Sequence, residues 1–278
     1  MGWRVKIRHV TGFEYDGTAS ASYNEVRMTP LDDGRQNTLE RRLIVRPATP
    51  IWTYVDHWGT LVSVFDLPKA HTSLTIESVS RVETAASRPR GKPLSWGELR
   101  TVDGPVAEML RPTAQSSISP ELAATVREHA EGHDPHETAE AIAWSVNDRV
   151  AYTPGATGVL TSAQEVWDQA VGVCQDMSHL TVALMRAAGI PARYVSGYLH
   201  PQREAEIGRR VVGQSHAWVE YWTGEWAALD PTNRTEVGEG HVVVARGRDY
   251  SDVPPLKGVY QGPPAENQEV TVEVTRLA

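Results

Sequence analysis

The sequence predicts an α+β protein in which a β-rich N-terminal region precedes helices packed on an antiparallel sheet. Three observations carry this expectation. Residues 3–83 alternate polar and apolar side chains with period two, capping signals and helical spacing concentrate between Ser119 and Gly189, and short strand-like runs return after Ala192. No internal repeat, βαβ repetition or glycine-rich phosphate loop interrupts that order.

Arg4, Lys6 and Arg8 alternate with Val5, Ile7 and His9, and Leu61–Phe65 and Ser73–Glu77 repeat the pattern. Turn formers at Asp16-Gly17, Asp32-Asp33-Gly34, Arg46-Pro47 and Trp58-Gly59 separate these runs at the spacing of an antiparallel sheet or sandwich. Residues 1–85 are therefore expected to form the β-rich region. From 86 to 119 a mixture of Ser, Pro, Gly and isolated aromatics breaks both periodicities and reads as a linker, leaving 120–278 as the second domain. Ser119-Pro120 supplies an N-cap serine and a proline at the first helical position, and Asp134-Pro135-His136-Glu137 carries a capping box, so helices are predicted over 120–131 and 135–148. A third helix follows Gly172-Val173-Cys174, because Val173, Met177, Leu180 and Leu184 recur at i, i+4, i+7 and i+11 until Gly189 and Pro191 stop it. Strands are predicted over 192–199, 215–222, 225–229 and 269–275.

Composition narrows the functional classes. Of 278 residues, 27 are Lys or Arg and 35 are Asp or Glu, a net charge of −8 that repels a phosphate backbone and excludes nucleic acid as a partner. No apolar run approaches the roughly 20 residues that span a bilayer, and the alternating N-terminus lacks a signal-peptide core, so no membrane association is expected and the cytoplasm is the expected compartment. Cys174 is the single cysteine, which rules out an intramolecular disulfide and a thiolate-only zinc site.

A thiol at a helix start feels the macrodipole and the unpaired N–H groups, both of which favour a thiolate. Nucleophilic catalysis also needs an imidazole within reach and a third group to orient it. His216, Trp218, Glu220 and Trp222 share one face of a predicted strand, and counting back from a turn at Thr223-Gly224 brings Asp230 close to His216. The order is Cys174, His216, Asp230, separated by 42 (216 − 174) and 14 (230 − 216) residues.

Four blocks then carry a resemblance. They are Gly172-Val173-Cys174-Gln175-Asp176-Met177-Ser178-His179-Leu180, Gly189–Tyr198, Ser215-His216-Ala217-Trp218-Val219-Glu220 and Leu229-Asp230-Pro231-Thr232-Asn233. In order and spacing the chain resembles the transglutaminase-like superfamily with its papain-like core, specifically the bacterial branch with a β-rich N-terminal region. The segments Asn24–Pro30 and His241–Pro255 are similar to that branch too. The resemblance implies Cys174 as nucleophile, His216 as general base and later acid, and Asp230 as its orienting carboxylate. It also implies thioester formation from a glutamine side chain or peptide carboxamide, with a protein or peptide as substrate and no cofactor. Unlike the animal enzymes, Cys174 is followed by Gln175 rather than tryptophan, and no EF-hand-like acidic loop supports calcium activation.

Trp167, Trp218 and Tyr198 are the candidate substrate-binding residues, with a tryptophan-lined acceptor tunnel as one reading and core packing as the other. Asp176 reads as dipole compensation in the first helical turn ahead of a tuning role. His133-Asp134-Pro135-His136 reads as a solvated cap, not a metal site, and Gly213-Gln214-Ser215-His216-Ala217 lacks the strand-to-helix context of a serine nucleophile elbow. A cysteine protease or amidase, and a binding module without chemistry, are the rival functions.

Overall fold

A computed structural model describes residues 2–86, 91–202, 204–213 and 215–278; Arg88-Pro89-Arg90 of the expected linker and Gln214 lie outside the described residues. Six strands come first: β1 (Trp3–Ala19), β2 (Ala21–Val26), β3 (Gln36–Arg46), β4 (Trp52–Val55), β5 (Leu61–Leu67) and β6 (His71–Thr84). Helices α1 (Trp96–Leu99), α2 (Gly104–Glu108), α3 (Pro120–Ala130) and α4 (Pro135–Arg149) follow. The short strand β7 (Ala151–Tyr152) pairs in parallel with β8 (Val171–Gly172) around α5 (Ala163–Gln169), and α6 (Cys174–Ala188) begins immediately afterwards. The second half continues with β9 (Ala192–Leu199), β10 (Arg210–Gly213), β11 (Ser215–Trp222), β12 (Trp226–Asp230), β13 (Thr235–Glu236) and β14 (His241–Gly247). It finishes with β15 (Leu256–Gln261) and β16 (Ala265–Arg276).

Three antiparallel sheets organise these strands, in the orders β13-β12-β11-β9-β14, β10-β16-β1-β6-β3 and β15-β2-β5-β4. The α+β class is as the sequence predicts. Two expectations change. The strand at 269–275 does not extend the sheet of the second half; β16 pairs with β1 from Val5↔Arg276 to Tyr15↔Ala265, and β15 pairs with β2. The stretch 86–119 also does more than connect. Ser95 caps α1 through a reciprocal bond with Glu98, and Leu99 and Met109 are buried, so both short helices are pinned to the core.

Helix α6 is buried nearly all round, from Asp176 to Arg186, which is the pattern of a helix at the centre of a packed layer. Its own apolar residues join those of α4, α5, β11 and β12 in the largest core cluster, and Gly189 closes it in the left-handed conformation at φ 91°. Side chains alternate along β9, so Ala192, Tyr194 and Tyr198 share a face. Ala192 meets the helical cluster, whereas Tyr194 and Tyr198 pack with Val5, Ile7, Val272 and Val274 of β1 and β16. The same sheet face is thus covered by helices at one end and by the β1–β16 sheet at the other, and Cys174 packs at the junction. Among the described residues, no helix is long and apolar enough to cross a membrane.

Candidate active site

Cys174 is the first residue of α6 and is half-buried. Asp176, two residues on, turns its Oδ2 back to accept the Val173 N–H at 2.8 Å and the Thr157 hydroxyl at 2.6 Å. That is an N-terminal cap and a tie to the preceding loop, in keeping with dipole compensation. Burial raises the Asp176 pKa, only partly offset by these bonds.

His216 opens β11, and the hairpin register fixes where its partner lies. Val219 pairs with Leu229, so Asp230 stands one step beyond β12's last pair and diagonally across from His216. The diagonal is closed by a bond of 2.7 Å from His216 Nε2 to Asp230 Oδ2, which leaves Nδ1 as the nitrogen available to the thiol. Asp230 is fully buried and receives further donors: Asn233 Nδ2 at 2.7 Å and His241 Nε2 at 3.2 Å on Oδ2, and the N–H groups of Thr232 and Asn233 at 3.0 and 3.1 Å on Oδ1. His241 accepts the Gly238 N–H on Nδ1, so its Nε2 carries the proton donated to Asp230.

The electrostatics follow from these bonds. Burial alone would depress His216, but hydrogen bonds to Asp230 and Cys174, together with the charges of both, raise its pKa to about 9. Burial would raise Asp230, and the two histidines instead hold it far below the ordinary carboxylate value. His241 goes the other way: its burial outweighs the Asp230 contact and lowers its pKa, keeping it a neutral donor. His216, Asp230 and His241 bring metal-ligating atom types within 4.8 Å of one another, yet the hydrogen bonds just described already occupy the atoms that would ligate.

Cys174 and His216 line one continuous groove with two lobes of about 550 and about 430 Å³. Tyr152, Gly213 and Ser215 border both lobes; Tyr194, Tyr250, Val270 and Val272 enclose the larger, and Val212 and Asn233 the smaller. Among the described residues, no Asp, Glu, Lys or Arg lines either lobe.

The structure bonds His216 to Asp230, sets Cys174 on the groove that His216 also lines, and places the three candidate substrate-binding residues elsewhere. Trp218 is fully buried against His241, with Val195, Val243 and Leu31 around it. Trp167 stacks beneath the Arg149 guanidinium at 3.8 Å. The Tyr198 hydroxyl is committed to His9 Nδ1 at 2.9 Å and to the Met28 carbonyl at 3.3 Å. None of the three lines the groove, because strand parity states which residues share a face but not what covers that face. Sequence reasoning missed His241 and Asn233 as partners of Asp230. Both stand inside the quoted family blocks, and that was the available signal.

Comparison with known proteins bears on the family and the fold. Residues 122–231 match the family model described as the transglutaminase-like superfamily, and residues 5–83 match the bacterial transglutaminase-like N-terminal region. An uncharacterized protein of Mycobacterium leprae is 45% identical over 278 residues, covering 99% of this chain and 100% of its own. A protein-glutamine gamma-glutamyltransferase of Pseudomonas aeruginosa is 35% identical over 127 residues, 41% of this chain and 19% of that one. The fold is shared with a provisionally assigned cysteine protease from Cytophaga hutchinsonii, at a TM-score of 0.82 and 23% identity, covering 100% of this chain and 92% of that chain.

Proposed function

The chain belongs to the transglutaminase-like superfamily, and from that premise we propose that it attacks the carboxamide of a glutamine side chain or peptide bond with Cys174 to form a thioester. The observation that carries the reading is the meeting of Cys174 and His216 in one groove with His216 bonded to buried Asp230 at 2.7 Å. In the proposed cycle His216, protonated at neutral pH because its pKa is raised to about 9, pairs with the Cys174 thiolate. The sulfur adds to the carbonyl carbon, and the tetrahedral intermediate collapses as the His216 imidazolium protonates the departing nitrogen. Asp230 keeps Nε2–H pointed at itself and stabilises the imidazolium. An incoming amine then releases the acyl group as a new amide, whereas water releases it as an acid. The substrate is a protein or peptide, and the lone thiol suits the reducing cytoplasm.

Hydrolysis is the second reading, and one observation favours it. None of the tryptophans forms a wall of the groove, so the tunnel that would exclude water in favour of an amine is absent among the described residues. Incubating the protein with a glutamine peptide and a labelled amine separates the two: label incorporation requires transfer, and a glutamate residue in place of the glutamine, or a new C-terminal carboxylate, requires hydrolysis. Cys174→Ala should abolish every one of these products while leaving the melting transition in place. Turnover retained by that variant would refute the thioester reading.

A further inference from the structure

We propose that the Tyr194 hydroxyl is a donor to the oxyanion that forms when Cys174 attacks its carbonyl, an assignment that rests on the thioester reading and deepens it. Tyr194 lies on β9 with 2% of its surface exposed. Its ring is clamped between His179, with centroids 4.9 Å apart, and Tyr250, at 6.4 Å and 83°. It lines the larger lobe of the groove with Cys174, which packs against the same cluster. Yet its hydroxyl makes no hydrogen bond with any described residue. Two other buried tyrosines behave differently: Tyr198, on the same face of β9, bonds His9 and Met28, and Tyr221 bonds His136 Nδ1 at 2.6 Å. A phenylalanine would fill the same packing site, and the Tyr194 hydroxyl, which is not among the polar atoms sealed from solvent without a partner, opens onto the groove. The unpaired hydroxyl therefore points to a partner supplied from the groove.

The chemistry of the first step identifies that partner. As the S–C bond forms, the carbonyl π pair moves to oxygen, and that oxygen carries a full negative charge until the C–N bond breaks and the carbonyl re-forms. A donor that is idle at rest and engaged only then stabilises the transition state selectively. Tyr194 meets the requirements: rigid packing, a position beside the sulfur, and a proton it keeps, since burial and the neighbouring Cys174 charge raise its pKa well above the ordinary phenol value. It donates a hydrogen bond and transfers no proton. The second donor is the backbone N–H of Cys174, which as the first residue of α6 has no acceptor inside the helix. Tyr152 also lines the groove with Cys174, but half of its surface is exposed, so its ring lacks the clamping that fixes Tyr194.

Two reactions of the same sulfur test the assignment. Acylation by p-nitrophenyl acetate passes through an oxyanion and reads out as a nitrophenolate burst; alkylation by iodoacetamide is a direct displacement at carbon and forms none. Tyr194→Phe should slow acylation by roughly 10²- to 10³-fold, leave alkylation within about twofold of wild type, and keep the near-UV circular dichroism of the folded protein. Wild-type acylation in Tyr194→Phe would overturn the proposal while leaving the thioester intact, and parallel losses in both reactions would overturn it by showing that Tyr194 acts on the sulfur or the packing. An undiminished burst in Cys174→Ala would instead remove the thioester reading itself, and the Tyr194 assignment with it.

Discussion

Replacing Asp230 with asparagine preserves volume and removes a charge on which five donors converge. A carboxylate offers two acceptor oxygens and an amide one, so whichever way the amide turns, its NH₂ faces two or three donors. The net effect on His216 of burial and of its two partners, Asp230 and Cys174, can be sized. The imidazole pKa rises from 6.5 to about 9 against the pull of burial, and 9 − 6.5 = 2.5 units corresponds to about 3 kcal/mol. Because the folded value is the higher one, this stabilisation is fully present below pH 6.5 and is lost as the pH climbs through about 9. Asp230 itself, held below its ordinary 3.8, contributes at all pH above that value and loses its contribution only in stronger acid. In Asp230→Asn the His216 midpoint should drop well below 9, only the Cys174 contribution remaining to oppose burial, unfolding free energy at pH 6 should fall by the Asp230 share of that ~3 kcal/mol, and turnover should fall by roughly 10⁴-fold. NMR titration of the imidazole, urea unfolding at pH 6 and pH 9.5, and steady-state kinetics measure the three effects. The stability gap should narrow at the higher pH. A His216 midpoint still near 9, or a gap that persists undiminished above it, would refute the reasoning.

Two further substitutions probe the scaffold behind the site. Glu220 is nearly buried and accepts Arg193 Nε at 2.7 Å and Arg246 Nε at 2.9 Å; burial alone would raise its pKa, but the two guanidiniums pull it down to about 2. Glu220→Gln leaves two buried cations short of a counter-charge and should cost roughly 3–5 kcal/mol in denaturant unfolding; in the wild type this contribution should persist above pH 4.5 and vanish as the pH drops through about 2. Gly197 sits directly opposite His216, and a Cβ there would overlap the Val242 carbonyl and come within 2.5 Å of the Trp218 ring. Gly197→Ala should lose about 1–3 kcal/mol or more, read as a lowered melting temperature, and a wild-type melt would mean that β14 yields more easily than its packing implies.

Local chemistry was legible wherever the signal was local. The Ser119 and Asp134 caps, the left-handed Gly189 and the turn at Thr223-Gly224 each place an element boundary within a residue or two, because a side chain or a φ angle enforces it over a few bonds. Alternation placed His216, Trp218 and Glu220 on one face and Asp230 near His216, since both statements need only strand parity and a short hairpin. Partnership across distance was not legible. Residues 269–275 announce a strand but not that its neighbour is β1, some 260 residues earlier, and pairing choice is a property of the whole fold. The alternation also could not say that Trp218 faces packed side chains instead of substrate, or that His241 would reach Asp230 from the far side of β9. Ser95 and Glu98 did carry a capping signal inside the stretch read as a linker, but neighbouring proline and glycine outweighed it.

The pairing of β16 with β1 has a temporal consequence. Val270 and Val272, which wall the larger lobe, follow Cys174 by 96 (270 − 174) and 98 (272 − 174) residues, and they are held there by pairing with β1, whose other edge pairs with β6. During synthesis the thiol therefore emerges long before its cleft can close around a ligand, and long-range pairing of this kind is slow to form. Assembly itself postpones reactivity: the nascent chain holds an incomplete cleft until the late strand docks onto the early one.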